Sequence, residues 1–196
     1  VTTILGIANK PGLNDWRAEQ GWELSEQYKD ETADLGSEIH RHVARLIKGE
    51  AIGKLDWSLL DEEIKQGLRA FVRFKRETGL VGLETEKIAY NLKRGYAGTL
   101  DCIGKINNRK VLLDWKTGRF YPSQLAQVTA YYRALYSMGY RGIKRLGVVS
   151  LDRKTGIPES HIITVKGSRP FWRYFLDCLN LYYDTKIIKE AANDTV

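Results

Sequence analysis

The stretch Y-A-G-T-L-D-C-I-G-K-I-N-N-R-K-V-L-L-D-W-K-T-G, Tyr96 to Gly118, reads as two strands joined by a two-residue turn. Asn107-Asn108 suits such a turn because asparagine tolerates positive φ at both central positions. Closing the hairpin there sets Ile106 opposite Arg109, and counting outward sets Asp101 opposite Asp114. Directly opposed residues share a face, with Cβ atoms roughly 4.5–5.5 Å apart. Lys116, two residues beyond Asp114, falls on that same face. The register therefore predicts that Asp101, Asp114 and Lys116 converge on one side of the sheet.

Two carboxylates held face to face repel, which costs stability unless another charge offsets them. A divalent cation does so, and oxygen ligands completed by water and phosphate suit Mg²⁺ or Mn²⁺. A protonated lysine beside the ion cannot ligate, but it can orient a water or neutralise charge on a phosphate under attack. The D-x-K pattern alone says little, since the chain also contains Asp152-Arg153-Lys154 and Asp184-Thr185-Lys186. Asp152 begins a turn-forming run that ends at Gly156, and Asp184 lies in a helical pattern. Only Asp114 follows an apolar strand and faces a second acid.

Outward from the hairpin, the period of the apolar residues changes. Upstream, helices are expected over Asn14–Lys29, Ser37–Lys48 and Ser58–Glu77. Ile39, Val43 and Leu46, then Ile64, Leu68, Phe71 and Phe74, form inward stripes. Leu83–Leu92 reads as a strand ahead of Tyr96–Ile106 and Lys110–Lys116. Pro122 opens a helix running to Met138. Ile143–Leu151 and Ser160–Lys166 return to strand, and Phe171–Lys189 closes as an amphipathic helix. The order predicts an α/β or α+β domain with a mixed sheet flanked by helices. A single domain over residues 1–196 is expected, with a helical layer over 1–78 and a core over 79–196.

Composition narrows the partners. Apolar residues make up 43% of the 196 and charged ones 28%, ordinary for a globular chain, and no apolar run is long enough to span a bilayer. Two cysteines fit a reducing compartment and are too few for a four-cysteine metal or cluster site. A formal charge of +7 leans towards a polyanionic partner.

Together, G-T-L-D (Gly98–Asp101), L-D-W-K-T-G (Leu113–Gly118) and Q-V-T-A-Y (Gln127–Tyr131) resemble the PD-(D/E)XK nuclease superfamily. More narrowly they look like the RecB-type and mitochondrial-genome-maintenance-type exonucleases, phage relatives included. Upstream, T-T-I-L-G with Trp16, and G-S-E-I-H (Gly36–His40), are similar to that family's first helices, so the likeness covers roughly Thr2 to Leu135. The resemblance implies a restriction-endonuclease-like core with the amino-terminal helices over the active-site cleft. It implies Asp101 and Asp114 as acidic metal ligands, His40 as a histidine ligand, the Trp115 carbonyl as a further ligand and Lys116 as the catalytic lysine. Gln127 and Tyr131, on one helix face at i and i+4, match the family's Q-x-x-x-Y pair. Glu86 matches an acid often found ahead of the first motif, with Glu84 close enough to compete for that role. His42 lies about 200° around the helix from His40 and should not share its role. Leu100 stands where the superfamily's name has proline, and the second acid is Asp rather than Glu; neither change removes a ligand charge.

The resulting expectation is a DNA exonuclease using one or two Mg²⁺ or Mn²⁺ ions and preferring single-stranded or frayed ends. It would serve DNA repair or recombination in a bacterial or phage-infected cytoplasm, or in mitochondria if a leader was removed. No G-x-x-x-x-G-K-[ST] occurs to announce a fused helicase. Lys87, Lys93, Arg94, Arg119, Arg141, Lys144 and Arg145 are candidate phosphate contacts, and Trp16 and Tyr121 candidate base-stacking residues. The alternatives are an endonuclease of the same superfamily, of restriction or junction-resolving type, and a non-catalytic DNA-binding module.

Overall fold

The computed structural model describes residues 1–8 and 22–193. A short α1 (Thr2–Leu5) precedes the long α2 (Trp22–Ile47) and α3 (Glu62–Thr78). Three strands follow, β1 (Val81–Asn91), β2 (Tyr96–Ile106) and β3 (Arg109–Lys116). Then come α4 (Ser123–Ser137), β4 (Arg145–Leu151), β5 (Pro158–Thr164) and α5 (Arg169–Asn193). The fold is α+β: a five-stranded mixed sheet in the order β1-β2-β3-β4-β5, flanked by helices. Only β3 and β4 are parallel, and α4 makes the crossover that a parallel pair requires. Among the described residues, no helix is long and apolar enough to cross a membrane.

The hairpin forms as its turn chemistry predicts. Asn107 and Asn108 take φ of 49° and 60°, and Ile106 pairs with Arg109. β3 is central and buried on both faces from Val111 to Trp115, which explains its unbroken apolar run. On one face Leu112, Leu146 and Val148 pack with Val128 and Ala134 of α4 and Phe175 of α5. On the other, Leu113, Trp115, Val149 and Leu151 meet Ile39 and Val43 of α2 and Leu68, Phe71 and Phe74 of α3.

Two helix boundaries differ from the sequence reading. Instead of separate helices over Asn14–Lys29 and Ser37–Lys48, α2 runs unbroken through residues 30–36. That segment is polar but lacks proline, and one glycine in a helix costs only about 1 kcal/mol. Gly36 also has a packing reason to be there, because a Cβ on it would come within 3.1 Å of Thr117 Oγ1. Residues 14–21 of the first expected helix, Trp16 included, lie outside the described residues. The third helix starts later than Ser58, because Asp56 accepts a hydrogen bond from the Ser58 amide at 3.1 Å and caps a separate 3₁₀ turn. α3 begins after Asp61 with Glu62 and Glu63 in its first turn, where acids suit the helix dipole, and ends on Gly79 at φ 64°.

The turn makes a direct test of the register. Asn108→Gly should leave stability unchanged or slightly raised, since glycine adopts positive φ without strain. Asn108→Val should cost about 1–2 kcal/mol in denaturant unfolding, the penalty of a left-handed residue with a branched Cβ. Equal stability of the two variants would contradict a turn that depends on positive φ.

Candidate active site

The β2–β3 ladder stops at Cys102–Leu113, one step before Asp101 and Asp114. There the strands fork, and side chains replace the missing backbone partners. The Trp115 amide donates to Asp101 Oδ2 at 2.8 Å, so a carboxylate takes the place of a ladder carbonyl. The Thr85 hydroxyl donates to the Asp101 carbonyl at 2.7 Å and fixes that residue from β1. His40, reaching down from α2, places Nδ1 3.4 Å from Asp101 Oδ1. N–H and C=O of one strand residue point to the same side. The Trp115 carbonyl therefore faces the fork along with its amide, where the expected ligand role requires it.

Asp114 is the buried member of the pair, only 2% exposed. Its Oδ1 accepts from Gln127 Nε2 at 3.3 Å, and the same amide donates to Tyr131 Oη at 3.1 Å. Lys116 Nζ lies 2.5 Å from Oδ2. Lys116 thus forms a contact ion pair with Oδ2, a buried oxygen to which no neutral donor is directed among the described residues. The structure thus brings together His40, Asp101, Asp114, Lys116, Gln127 and Tyr131 from α2, β2, β3 and α4.

Charge and burial shape how these groups titrate. Burial, then the neighbouring Asp101 charge, push the Asp114 carboxyl up to about 6, against the pull of Lys116. Burial works against a charged His40 imidazole, but the Asp101 hydrogen bond and the charges of Asp101 and Asp114 outweigh it, so His40 titrates above its usual value. Burial, followed by the Asp114 charge, also drives the Tyr131 phenol well upward, leaving a neutral hydroxyl at any ordinary pH.

Glu86 does not join this cluster. It occupies the β1 position facing Asp101, between the pairs Thr85–Cys102 and Lys87–Leu100, with φ at 52°. Its Oε2 sits 3.0 Å from Lys48 Nζ, and it lines an open hollow beside Gly36 and His40. Glu84 turns away altogether, paired with Lys87 at 2.8 Å and accepting from Tyr140 Oη at 3.0 Å. Of the two acids, only Glu86 borders the site. His42 points elsewhere, 3.5 Å from Glu38, as the helical angle predicts. Asp152 Oδ1 accepts from the amides of Lys154 at 2.7 Å and Thr155 at 3.0 Å, a turn-capping role.

Two glycines of the motifs have roles that residue chemistry alone did not suggest. A Cβ on Gly98 would come within 2.7 Å of the Tyr131 ring, so this glycine makes room for the tyrosine. Gly36 similarly admits the Thr117 side chain that follows Lys116.

Among the described residues, no three His, Cys, Asp or Glu side chains form a ready-made cage for an ion. The donors present nevertheless fit a hard divalent cation that retains several waters, as Mg²⁺ does when held through one or two carboxylates. A buried carboxylate whose Oδ2 meets the Lys116 charge but no neutral donor among the described residues is the observation that fits best. No protein-family model matches the chain, and no curated protein does.

The electrostatics generate a pH test on the metal-free protein. The folded-state value of Asp114 lies above its ordinary 3.8, so its ionised form costs stability above about pH 6. That cost fades as the pH falls from about 6 towards 3.8. Asp101→Asn removes one of the two causes while keeping an oxygen for the Trp115 amide. It should lower the Asp114 titration followed by carboxyl NMR, and stabilise the protein in EDTA above about pH 6 by roughly 0.2–1 kcal/mol. An unmoved Asp114 titration would show that the two carboxylates do not interact.

Proposed function

We propose that this chain is a divalent-metal-dependent deoxyribonuclease with a restriction-endonuclease-like core, working as an exonuclease on single-stranded or frayed DNA ends. One observation carries the reading: a carboxylate 2% exposed is joined by a second carboxylate and by a lysine in contact with it at the fork of two strands. Such a cluster is costly to a fold, because burial and the second carboxylate outweigh the pull of Lys116 on Asp114.

Asp101 and Asp114, with the Trp115 carbonyl and His40 beside them, would hold the ion. When bound, it would supply Lewis-acid polarisation of a phosphate oxygen and ready deprotonation of water near neutral pH. The chain's own groups do the rest. Lys116 carries a fixed positive charge next to Asp114 and would stabilise the negative charge that grows on the phosphate as water attacks in line with the leaving oxygen. Gln127 sets the orientation of the Asp114 carboxylate through its amide and couples it to Tyr131. The neutral Tyr131 hydroxyl keeps its proton available for a substrate phosphate oxygen.

The +7 charge supports a nucleic-acid partner. The exonuclease reading is supported by the placement of α2, which covers one face of the sheet and carries His40 to the fork. A cleft bordered by that helix admits a thin single strand from its end more readily than a duplex from the side. An aqueous cellular location, in a bacterium or a phage-infected host, goes with this reading.

End-labelled linear and covalently closed circular single strands, digested with Mg²⁺, Mn²⁺ or EDTA, test the proposal. Linear strands should shorten progressively with either metal, closed circles should survive, and EDTA should stop hydrolysis. Asp114→Ala or Lys116→Ala should lower the rate by roughly 10²–10³-fold or more, while Asp152→Ala should match the wild type. Efficient nicking of circles would favour the endonuclease alternative. Full activity of Asp114→Ala would sink the site assignment.

A further inference from the structure

Beyond Lys116, a second concave site opens at the carboxyl ends of β3 and β4. This is the end at which parallel strands commonly present ligands. The cavity has a volume of about 580 Å³ and is lined by Thr117, Gly118, Arg119, Ser150, Lys154 and Ile157, among others. On the β3 side its lining begins at Thr117, the residue that follows Lys116. Ser150 pairs in register with Lys116 on the neighbouring parallel strand, so both side chains leave the sheet on the same face.

Three features point to an anionic ligand. First, Ser150 is a 5% exposed residue of the cavity lining, and its Oγ, itself closed off from solvent, has no hydrogen-bond partner among the described residues. Such a hydroxyl is costly to bury unless something completes it. Second, the anions of the lining are already committed. Glu63 lies 3.0 Å from Arg153, Glu159 lies 2.9 Å from His161, and Asp152 is capped by two backbone amides. Third, Arg119 and Lys154 line the same cavity, and among the described residues neither is in ion-pair contact with a carboxylate, although Lys154 acts on Asp152 at longer range. Arg153 braces the whole, its Nε donating to the Thr117 carbonyl at 3.1 Å and locking the β4–β5 turn onto the segment after Lys116.

Ile157 adds an apolar wall, 52% exposed and facing the same space. A bare anion has no use for that wall, whereas a nucleobase does. We infer that this cavity is a nucleotide subsite, in which Ser150, Arg119 and Lys154 hold the phosphate and Ile157 contacts the base or sugar. It would seat the nucleotide next to the one under attack. The inference deepens the nuclease reading and rests on it for the identity of the strand, but the cavity's affinity for a nucleotide is measurable without catalysis.

Thymidine 5′-monophosphate, deoxyribose 5-phosphate and inorganic phosphate, each titrated into the full chain in EDTA and followed by calorimetry and NMR, provide the test. The mononucleotide should bind, more tightly than deoxyribose phosphate, and inorganic phosphate most weakly. Ser150→Ala and Arg119→Ala should each weaken the mononucleotide at least 10-fold, Arg119→Lys should recover part of the loss, and Asp114→Ala should leave binding in place. No binding, equal binding of all three probes, or binding lost in Asp114→Ala but kept in Ser150→Ala would overturn the subsite. Mononucleotide binding by a chain that fails to hydrolyse DNA would refute the nuclease reading alone. Hydrolysis with no mononucleotide bound would refute the subsite alone.

Discussion

Everything at this site depends on a pair of like charges held together at the fork of β2 and β3. The sheet could have continued its ladder by one more pair. Instead the Asp101 carboxylate takes the Trp115 amide, and Asp114 goes into the interior with Lys116 against one oxygen and Gln127 donating to the other. Burial and mutual repulsion both oppose ionisation of Asp114, and Lys116 offsets only part of that cost. On the proposed reading, a bound cation would supply the rest of that offset.

The two faces of the sheet contribute different things to that fork. α2 and α3 supply one apolar layer and bring the His40 imidazole to Asp101. α4, packed on the opposite face, supplies Gln127 and Tyr131 to Asp114. The fork is therefore where the two layers can meet, because the strands that separate them elsewhere have parted. Close approach from both sides needs small residues, and Gly36 and Gly98 stand at the two contacts, against Thr117 and Tyr131. The Trp115 indole, 1% exposed and in edge contact with Phe71 at 5.3 Å and Phe74 at 5.9 Å, anchors the strand carrying Asp114 and Lys116 to the α3 layer.

Much of this was legible in the sequence where the signal was local. The Asn107-Asn108 turn dictates the register from Ile106–Arg109 out to Cys102–Leu113, one pair short of Asp101 and Asp114. The central strand was visible as an apolar run, and Gln127 and Tyr131 as an i, i+4 pair. Non-local facts were not legible. The continuity of α2 through residues 30–36 is settled by tertiary packing, which overrides a polar stretch and a weak glycine. Glu86 matched a pattern, yet its left-handed backbone and the Lys48 ammonium hold its carboxylate outside the cluster. The cavity beyond Lys116 draws Thr117, Ser150 and Arg153 from segments that only the parallel pairing of β3 with β4 brings together.

The central claim is that the Asp101–Asp114 pair exists to bind a divalent cation. Calorimetric titration of Mn²⁺ into the nucleic-acid-free protein near pH 7.5 tests it most directly. The wild type should bind, and Asp101→Asn and Asp114→Asn should each lose at least 10-fold in affinity while retaining the wild-type circular dichroism spectrum. Mn²⁺ affinity unchanged in both variants would contradict the account, because the buried repulsion would then serve no ion.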